Sequence, residues 1–190
     1  DLLGQIKQEA EGLDDMVRNL LAITRIDAGA LELRKDWIDM HECVNRVVAA
    51  ARRHRGEMTN VEIELPKELP LVRADPTLAE QALTNIVANA ITHSPEGTKV
   101  SIGAEVLPAQ MRITVSDDGP GIPAELLPRL FEKFSRARQS EQAQGAGLGL
   151  AIARGIMDAH GGSISAESPL GTGRGTRITL TFLREREVQQ

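Results

Sequence analysis

The stretch GAGLGL, residues 145–150, sets Gly145, Gly147 and Gly149 at alternate positions and runs straight into AIARGIMDAHGG at helical spacing. Few features restrict a fold more. Glycines this dense reach backbone conformations closed to other residues, and the helix that follows begins with N–H groups that have no partner inside it. Such a junction makes either an ordinary tight turn or a phosphate-binding turn. It is not the dinucleotide fingerprint, which needs GxGxxG after a strand, nor a P-loop, which ends in Gly-Lys-Ser/Thr. The choice between turn and phosphate site has to come from the rest of the chain.

Upstream, residues 1–28 carry a heptad-like seam of Leu3, Ile6, Ala10, Leu13, Val17, Leu20 and Thr24, with Gly29 placed to end the helix. One amphipathic helix cannot bury its stripe alone, so this one requires partner helices, from upstream residues or a second subunit. After it the period changes. LELRKDWID (31–39) alternates as a strand, MHECVNRVVAAARRH is a helix with Cys43, Val47 and Val48 inward, and VEIEL alternates again. Leu71 and Val72 form a short strand. Asp75 followed by Pro76 is a helix start, and that helix buries Leu78, Ala82, Leu83, Ile86, Val87 and Ala90 before ending at SPEG. TKVSIGAEVL and QMRITVSD pair around a Pro-Ala turn. AELLPRLFEKF is a short helix, SRARQSEQAQGAG a polar and mobile loop, 148–160 a helix, and SISAES and RGTRITLTFL closing strands. The sum is one lone helix, then an α/β domain of about five strands and three helices.

Composition removes several classes of function. With a net charge of −5, 2% aromatics and no Tyr, the chain has neither the basic surface nor the stacking platforms of a nucleic-acid binder. Cys43 is the single cysteine, which excludes an internal disulfide and a Cys-cluster metal site and reads as a small buried apolar residue. No apolar run approaches the ~20 residues of a membrane span, and no signal peptide is visible. The chain opens on DLLGQIKQ, in mid-pattern and without Met, and is expected to be a piece of something longer.

Four local features carry chemistry. Asn85 and Asn89 stand one turn apart on one helix face, where two amide oxygens can face one hard cation; taken alone, they read rather as two Asn tolerated at a helix surface. In VSDDGPGIP (115–123), Asp117 follows a strand pattern, and Gly119 and Gly121 let the backbone come close to a base; locally this is also an ordinary turn. FEKFSRARQSEQAQGAG gives a short aromatic helix and a polar loop from which Lys133, Arg136 and Arg138 can reach phosphates, or simply face solvent. GAGLGLAIARG is the fourth.

In this order the four resemble the catalytic domain of sensor histidine kinases, in the wider group of ATPases with gyrase, the Hsp90 chaperone and MutL. QALTNIVANAITHSP is similar to that group's N-box, DDGPGIP to its first glycine box, LFEKFSR to its phenylalanine box, and GAGLGLAI to its second glycine box. AHGG and GTGRGTRITLTF match as well, so the resemblance covers nearly the whole chain. LLAITRIDAGALEL resembles the second helix of the kinase dimerisation hairpin, and LRKDWIDMHECV resembles the potassium-responsive, Kdp-type kinases.

The resemblance implies an α+β fold, a two-layer α/β sandwich of the Bergerat ATP-binding type. One long helix from a dimerisation hairpin (1–30) precedes the ATP-binding domain (31–186), and a tail (187–190) follows it. It implies ATP and Mg²⁺ as cofactors. Asn89 holds the metal, with Asn85 nearby. Asp117 reads the adenine amine, Gly119, Gly121 and Ile122 shape the base pocket, and Thr176 joins the water network there. Arg136 engages the phosphates, Gly145, Gly147, Leu148 and Gly149 form the phosphate turn, and Lys133 belongs to the same lid. Two departures stand out. Thr92 and His93 replace the usual basic residue and aromatic, so Thr92 supplies no cation, Lys133 or Arg136 is left to compensate, and His93 is placed to stack beside the purine. The hydrolysing relatives carry a Glu where this chain has Asn85, and an amide cannot act as a general base. That favours phosphoryl transfer over hydrolysis.

His41, His54, His93 and His160 are the candidate acceptors, and none sits in the family's His-acidic-x-Arg-x-Pro setting. The acceptor is therefore expected on an upstream helix outside this chain, with relay to a response regulator. The resemblance further implies a homodimer through the hairpin and the cytoplasmic portion of a membrane-anchored bacterial sensor. Two other readings of the same boxes are a serine kinase of the anti-sigma type and a nucleotide-binding module without transfer.

Overall fold

The computed structural model describes residues 2–55, 60–95, 97–134, 147–171 and 173–185, with the side chains of 2–12, 14, 15, 54 and 55 outside that description. Helix α1 (Leu2–Asp27) leads into strand β1 (Asp36–Ile38), helix α2 (Met40–Arg55) and strands β2 (Val61–Glu64) and β3 (Val72–Ala74). Then come α3 (Pro76–His93), the pair β4 (Val100–Val106) and β5 (Gln110–Asp117), a 3₁₀ turn at Leu127–Arg129, α4 (Gly149–Ala159), β6 (Ser163–Glu167) and β7 (Thr176–Leu183). The main sheet runs β2-β4-β5-β7-β6, with β2 parallel to β4 and every other pair antiparallel; β1 and β3 form a separate small ribbon.

The sheet is one-sided because its strands alternate. Val100 and Ile102, then Met111, Ile113 and Val115, then Ile178, Leu180 and Phe182 face the helices and are buried. The residues between them, such as Arg112, Thr114, Ser116, Arg177 and Thr179, face the other way. The helices supply the second layer: α3 with Ala79, Ala82, Leu83, Ile86, Val87 and Ala90, and α4 with Leu150, Ile152, Ala153, Ile156 and Met157. This is the expected two-layer α/β sandwich. Leu78 is only half-buried and Ala79 takes the core position. Cys43, Val47 and Val48 of α2 are buried as read; burial, with Glu80 adding to it, pushes the Cys43 thiol up to about 11, so it stays a neutral apolar group.

Two expected elements are shorter than their patterns. Of residues 31–39 only Asp36–Ile38 pair, because their partner β3 offers three residues and the Arg34 N–H goes instead to the Asp75 carboxylate at 2.8 Å. AELLPRLFEKF makes turns and one 3₁₀ segment rather than an α-helix, since Pro128 has no N–H to give and its ring blocks a continuous helix.

Asp75 pins several elements at one point. Its carboxylate caps α3 by accepting from the Thr77 and Leu78 N–H groups at 3.0 Å and holds Arg34, while its own N–H donates to His160 Nε2 at 2.9 Å. The His160 Nδ1–H then goes to the Ile156 carbonyl at 2.8 Å, so the start of α3 and the end of α4 are tied together.

Helix α1 ends as its glycine predicts. Gly29 adopts φ 61°, and the Gly29 and Ala30 N–H groups return to the Ile26 and Arg25 carbonyls, closing a Schellman motif. Its docked face is Ile23 with Ala22 and Ile26, and Ile26 lies against Gly155 of α4. The seam residues Leu13, Val17 and Leu20 point into solvent. Among the described residues no helix is long and apolar enough to cross a membrane.

Candidate functional site

Helix α3 ends toward β5. Asn85 and Asn89 are both half-buried on it. Asn85 packs on Gly149, the first residue of α4, with its Cβ and Cγ 3.7 Å from where a glycine side chain would begin. Its Nδ2 is closed off from solvent and has no partner. The α4 first turn carries no side-chain cap, so two sets of unspent donors lie together. Thr92 donates its hydroxyl to the Ala88 carbonyl at 2.7 Å, within its own helix. His93 is exposed and closes the helix, and Ser94 follows as its C-cap.

Asp117 ends β5 and stands opposite Thr176 of β7 in register. Burial raises its pKa above the usual carboxylate value, against the pull of the Gly119 N–H, which donates to Oδ1 at 2.9 Å, and of the Thr176 N–H. Ser94 Oγ lies near enough to favour the charged form, yet it makes no hydrogen bond of ordinary geometry. The loop after Asp117 is clamped to the start of β7. Gly175 N–H donates to the Gly119 carbonyl at 2.9 Å, and Ile122 N–H donates to Ser168 Oγ at 2.7 Å. Ser168 in turn donates to the Gly175 carbonyl at 2.8 Å and lies 3.3 Å from Thr176 Oγ1. Gly121 and Gly175 both take φ 82°, and a Cβ on Gly175 would stand 2.4 Å from the Asp117 carbonyl. Asp117, Gly119, Gly121, Ile122 and Thr176 are thus one cluster.

Of the loop expected to cover this cluster, the described residues include only the two ends. Phe134 N–H donates to the Gly147 carbonyl at 3.2 Å, so the segment between them begins and ends at one place. Phe134 itself is exposed and has φ 58°, a costly conformation for an aromatic residue, of the kind that collects at functional sites. Leu148 is buried and anchors the following helix. Arg136 and Gly145 lie outside the described residues. Lys133 is not beside the cluster's carboxylate but pairs with Asp27 at the end of α1. Ser94, Ser168 and Gly175 are the site residues that sequence reasoning missed. Only the glycine-dense PLGTGRG turn gave any sign of them.

Chemically the site offers one half-buried carboxylate beside close-approaching backbone, two amides on a helix face, and an uncapped helix start. That set suits a polar heterocycle with an exocyclic amine at one end and phosphate oxygens at the other. Comparison with known proteins is in keeping with this. Residues 74–186 match the family described as histidine kinase-, DNA gyrase B-, and HSP90-like ATPase. The sensor protein KdpD of Escherichia coli (strain K12) is 34% identical over 186 residues, 98% of this chain and 21% of that protein, so the chain spans about a fifth of its length. Full-length ShkA, solved in complex with AMPPNP, superposes with a TM-score of 0.80 at 26% identity, over 97% of this chain and 39% of that one. The histidine kinase ThkA, solved in complex with the response regulator protein TrrA, gives 0.69 at 26% identity, over 93% of this chain and 50% of that one.

Proposed function

The chain belongs to the histidine kinase-, DNA gyrase B-, and HSP90-like ATPase family, and from that premise we propose that it is the ATP-binding kinase module of a two-component sensor histidine kinase. It transfers the γ-phosphoryl of ATP to a histidine on an upstream helix, for relay to a response regulator. The observation that carries this reading is the meeting of Asp117, Gly119 and Thr176 with the C-terminal end of the Asn85–Asn89 helix. Asp117 accepts from the adenine amine. The α4 N-terminus, opened by Gly147 and Gly149, faces the phosphates together with Arg136 of the covering loop and the unspent Asn85 Nδ2.

Mg²⁺ fits this donor set. Among the described residues no three His, Cys, Asp or Glu side chains come together, and the donors are neutral amides, so the ion would be held by Asn89, with Asn85 beside it, and otherwise by phosphate oxygens and water. When bound it neutralises phosphate charge during transfer. Asn85 cannot take a proton from water, which favours delivery to a histidine over hydrolysis. The exposed seam of α1 supports a dimerisation hairpin, and with it a homodimer, and speaks against the anti-sigma type of serine kinase. Similarity to KdpD along nearly the whole chain favours the Kdp-type branch and a membrane-anchored parent protein.

The test is transfer. The chain is mixed with Mg²⁺, γ-labelled ATP and a separate hairpin carrying the acceptor histidine. Acid-labile, base-stable label on the hairpin is the expected result. Stable label on serine would identify a serine kinase, and binding without any transfer would reduce the chain to a nucleotide-binding module.

A further inference from the structure

Among the described residues, two buried side-chain atoms lack a hydrogen-bond partner: Asn85 Nδ2 and Ser94 Oγ. The first belongs to the phosphate end of the site. The second has no place in the functions assigned above. Ser94 ends α3 in an extended conformation, φ −102° and ψ 140°, which brings the helix terminus against the loop after β5. A Cβ built on Gly119 would stand 2.6 Å from Asp117 Oδ1 and 3.0 Å from Ser94 Oγ. The carboxylate and the hydroxyl therefore converge on the point that a missing side chain at residue 119 leaves open. A hydroxyl closed off from water carries a donor that is costly to leave unused. The carboxylate beside it is an acceptor only.

An acceptor and a donor side by side complement one kind of base edge. Adenine presents an amine N–H next to a ring nitrogen with a free lone pair. Guanine presents a carbonyl oxygen in the place of that amine, and an acceptor-only carboxylate repels it. Resting on the ATP reading above, we propose that Ser94 is a base-selecting residue, whose O–H donates to the ring nitrogen beside the amine that Asp117 accepts from. In this structure the hydroxyl lies close enough to Asp117 to favour its charged form, without bonding it at ordinary geometry. With the base in place, the amine takes the carboxylate and the hydroxyl turns to the ring.

The experiment is a cycle of protein and ligand changes, read by calorimetric titration of Mg²⁺-nucleotide into the chain. Ser94→Ala is expected to weaken ATP binding about 5- to 10-fold, the loss of one hydrogen bond at a closed site, while Ser94→Thr keeps the hydroxyl and binds as the wild type does. One deaza analogue of ATP, with CH for N at position 1 or 7, is expected to lose the same factor on the wild type and nothing further on Ser94→Ala. A purely structural role for Ser94 makes the two losses multiply for both analogues, and that outcome overturns the proposal, as does unchanged ATP affinity in Ser94→Ala. Removing an unpartnered hydroxyl leaves the melting temperature unchanged or higher, which separates lost contact from lost fold. Asp117→Ala isolates the parent reading. If it binds ATP normally, or the wild type binds none, the ATP assignment itself fails. If Asp117 matters and Ser94 shows no coupling, only the present proposal fails.

Discussion

A carboxylate at position 117 sits in a place that does not suit its charge. Burial raises its pKa, and the Gly119 N–H, the nearby Ser94 hydroxyl and the Thr176 N–H recover only part of the loss. The folded chain thus holds this proton more tightly than the unfolded one. Stability from the group is greatest below the ordinary carboxylate value and is lost as pH rises through the raised one. At neutral pH the charge is a standing cost, one that the proposed reading of an adenine amine would account for. Asp117→Asn keeps an oxygen for the Gly119 N–H and removes the buried charge. We expect it to melt above the wild type at pH 7.5, with the difference closing at acid pH. Its ATP affinity should fall about 10- to 150-fold, as when a hydrogen bond to a charged group worth ~1.5–3 kcal/mol is lost. Melts across pH and titration calorimetry check both; normal binding with a lowered melting point would contradict the assignment. At this scale Asp117, Asn85 and Asn89 were legible because each sits in a local pattern. Ser94, Ser168 and Gly175 were not, because what they meet lies far along the chain: Ser94 Oγ faces Gly119, and Ser168 accepts the Ile122 N–H from 46 residues away. The dense glycines around Gly175 mark a turn, but not that its N–H meets the Gly119 carbonyl.

Elements were legible where the signal is covalent or periodic. Asp75 and Pro76 announced α3, Gly29 closed α1, and alternation marked the strands of the main sheet. Length was less legible, since β1 is cut to its partner's three residues and Pro128 breaks the expected helix. Invisible altogether was the link between helices. In the sequence His160 is one of four histidines outside the acceptor setting; it ends α4, and its ring also accepts the Asp75 N–H that precedes α3. Burial lowers its pKa, and Lys35 adds to that, so Nε2 is kept as a lone pair. Here the unfolded chain takes up the proton first. The link's contribution is full above the ordinary histidine value of about 6.5 and is lost as pH falls toward the lowered one. Between pH 7.5 and 5.5 the wild type should therefore lose melting temperature more steeply than His160→Gln, whose amide oxygen can accept without titrating. At pH 7.5 that variant should be less stable by about 1–2 kcal/mol for an imperfect bond and looser packing. Parallel slopes for the two proteins would remove His160 as the titrating link. The α1–α4 contact is a second junction between elements. A Cβ on Gly155 would meet Ile26 Cγ2 at 2.6 Å, and a β-branched side chain has little freedom to yield. Gly155→Ala is expected to stiffen α4 by about 1 kcal/mol of helix propensity while pushing α1 away. Trypsin should then cut at Arg25 several-fold faster, with the melting of the sandwich undiminished. A cutting rate equal to the wild type's would show that α1 does not depend on this notch.

For the molecule as a whole, the seam of α1 and its docked face are different surfaces. The heptad spacing of Leu13, Val17 and Leu20 was read as a stripe in need of a partner. The helix instead docks by Ile23 and Ile26 and by the Asp27–Lys133 pair, leaving Leu13 63% and Leu20 53% exposed, with Met16, Val17 and Leu21 beside them. Periodicity identifies a buried stripe but not what buries it, and here the sandwich takes up a neighbouring stripe. The Lys133 pairing belongs to the same geometry: a cation expected near phosphates pairs here with Asp27 at the end of α1. Covering the exposed half of five such side chains on each of two chains is worth on the order of 10 kcal/mol, whereas association costs ~4 kcal/mol or more in lost freedom. One helix per chain therefore supports only weak dimers. Sedimentation of this chain should show association that grows with concentration in the high micromolar range. Replacing Leu13, Val17 and Leu20 together by Glu should leave a monomer at every concentration, with the affinity for Mg²⁺-ATP within about twofold of the wild type, because none of the three touches the Asp117–Asn85 site. Undiminished association in the triple variant would move the dimer contact to another surface, and a collapse of ATP binding would mean that the seam and the nucleotide site are not the independent surfaces their positions make them.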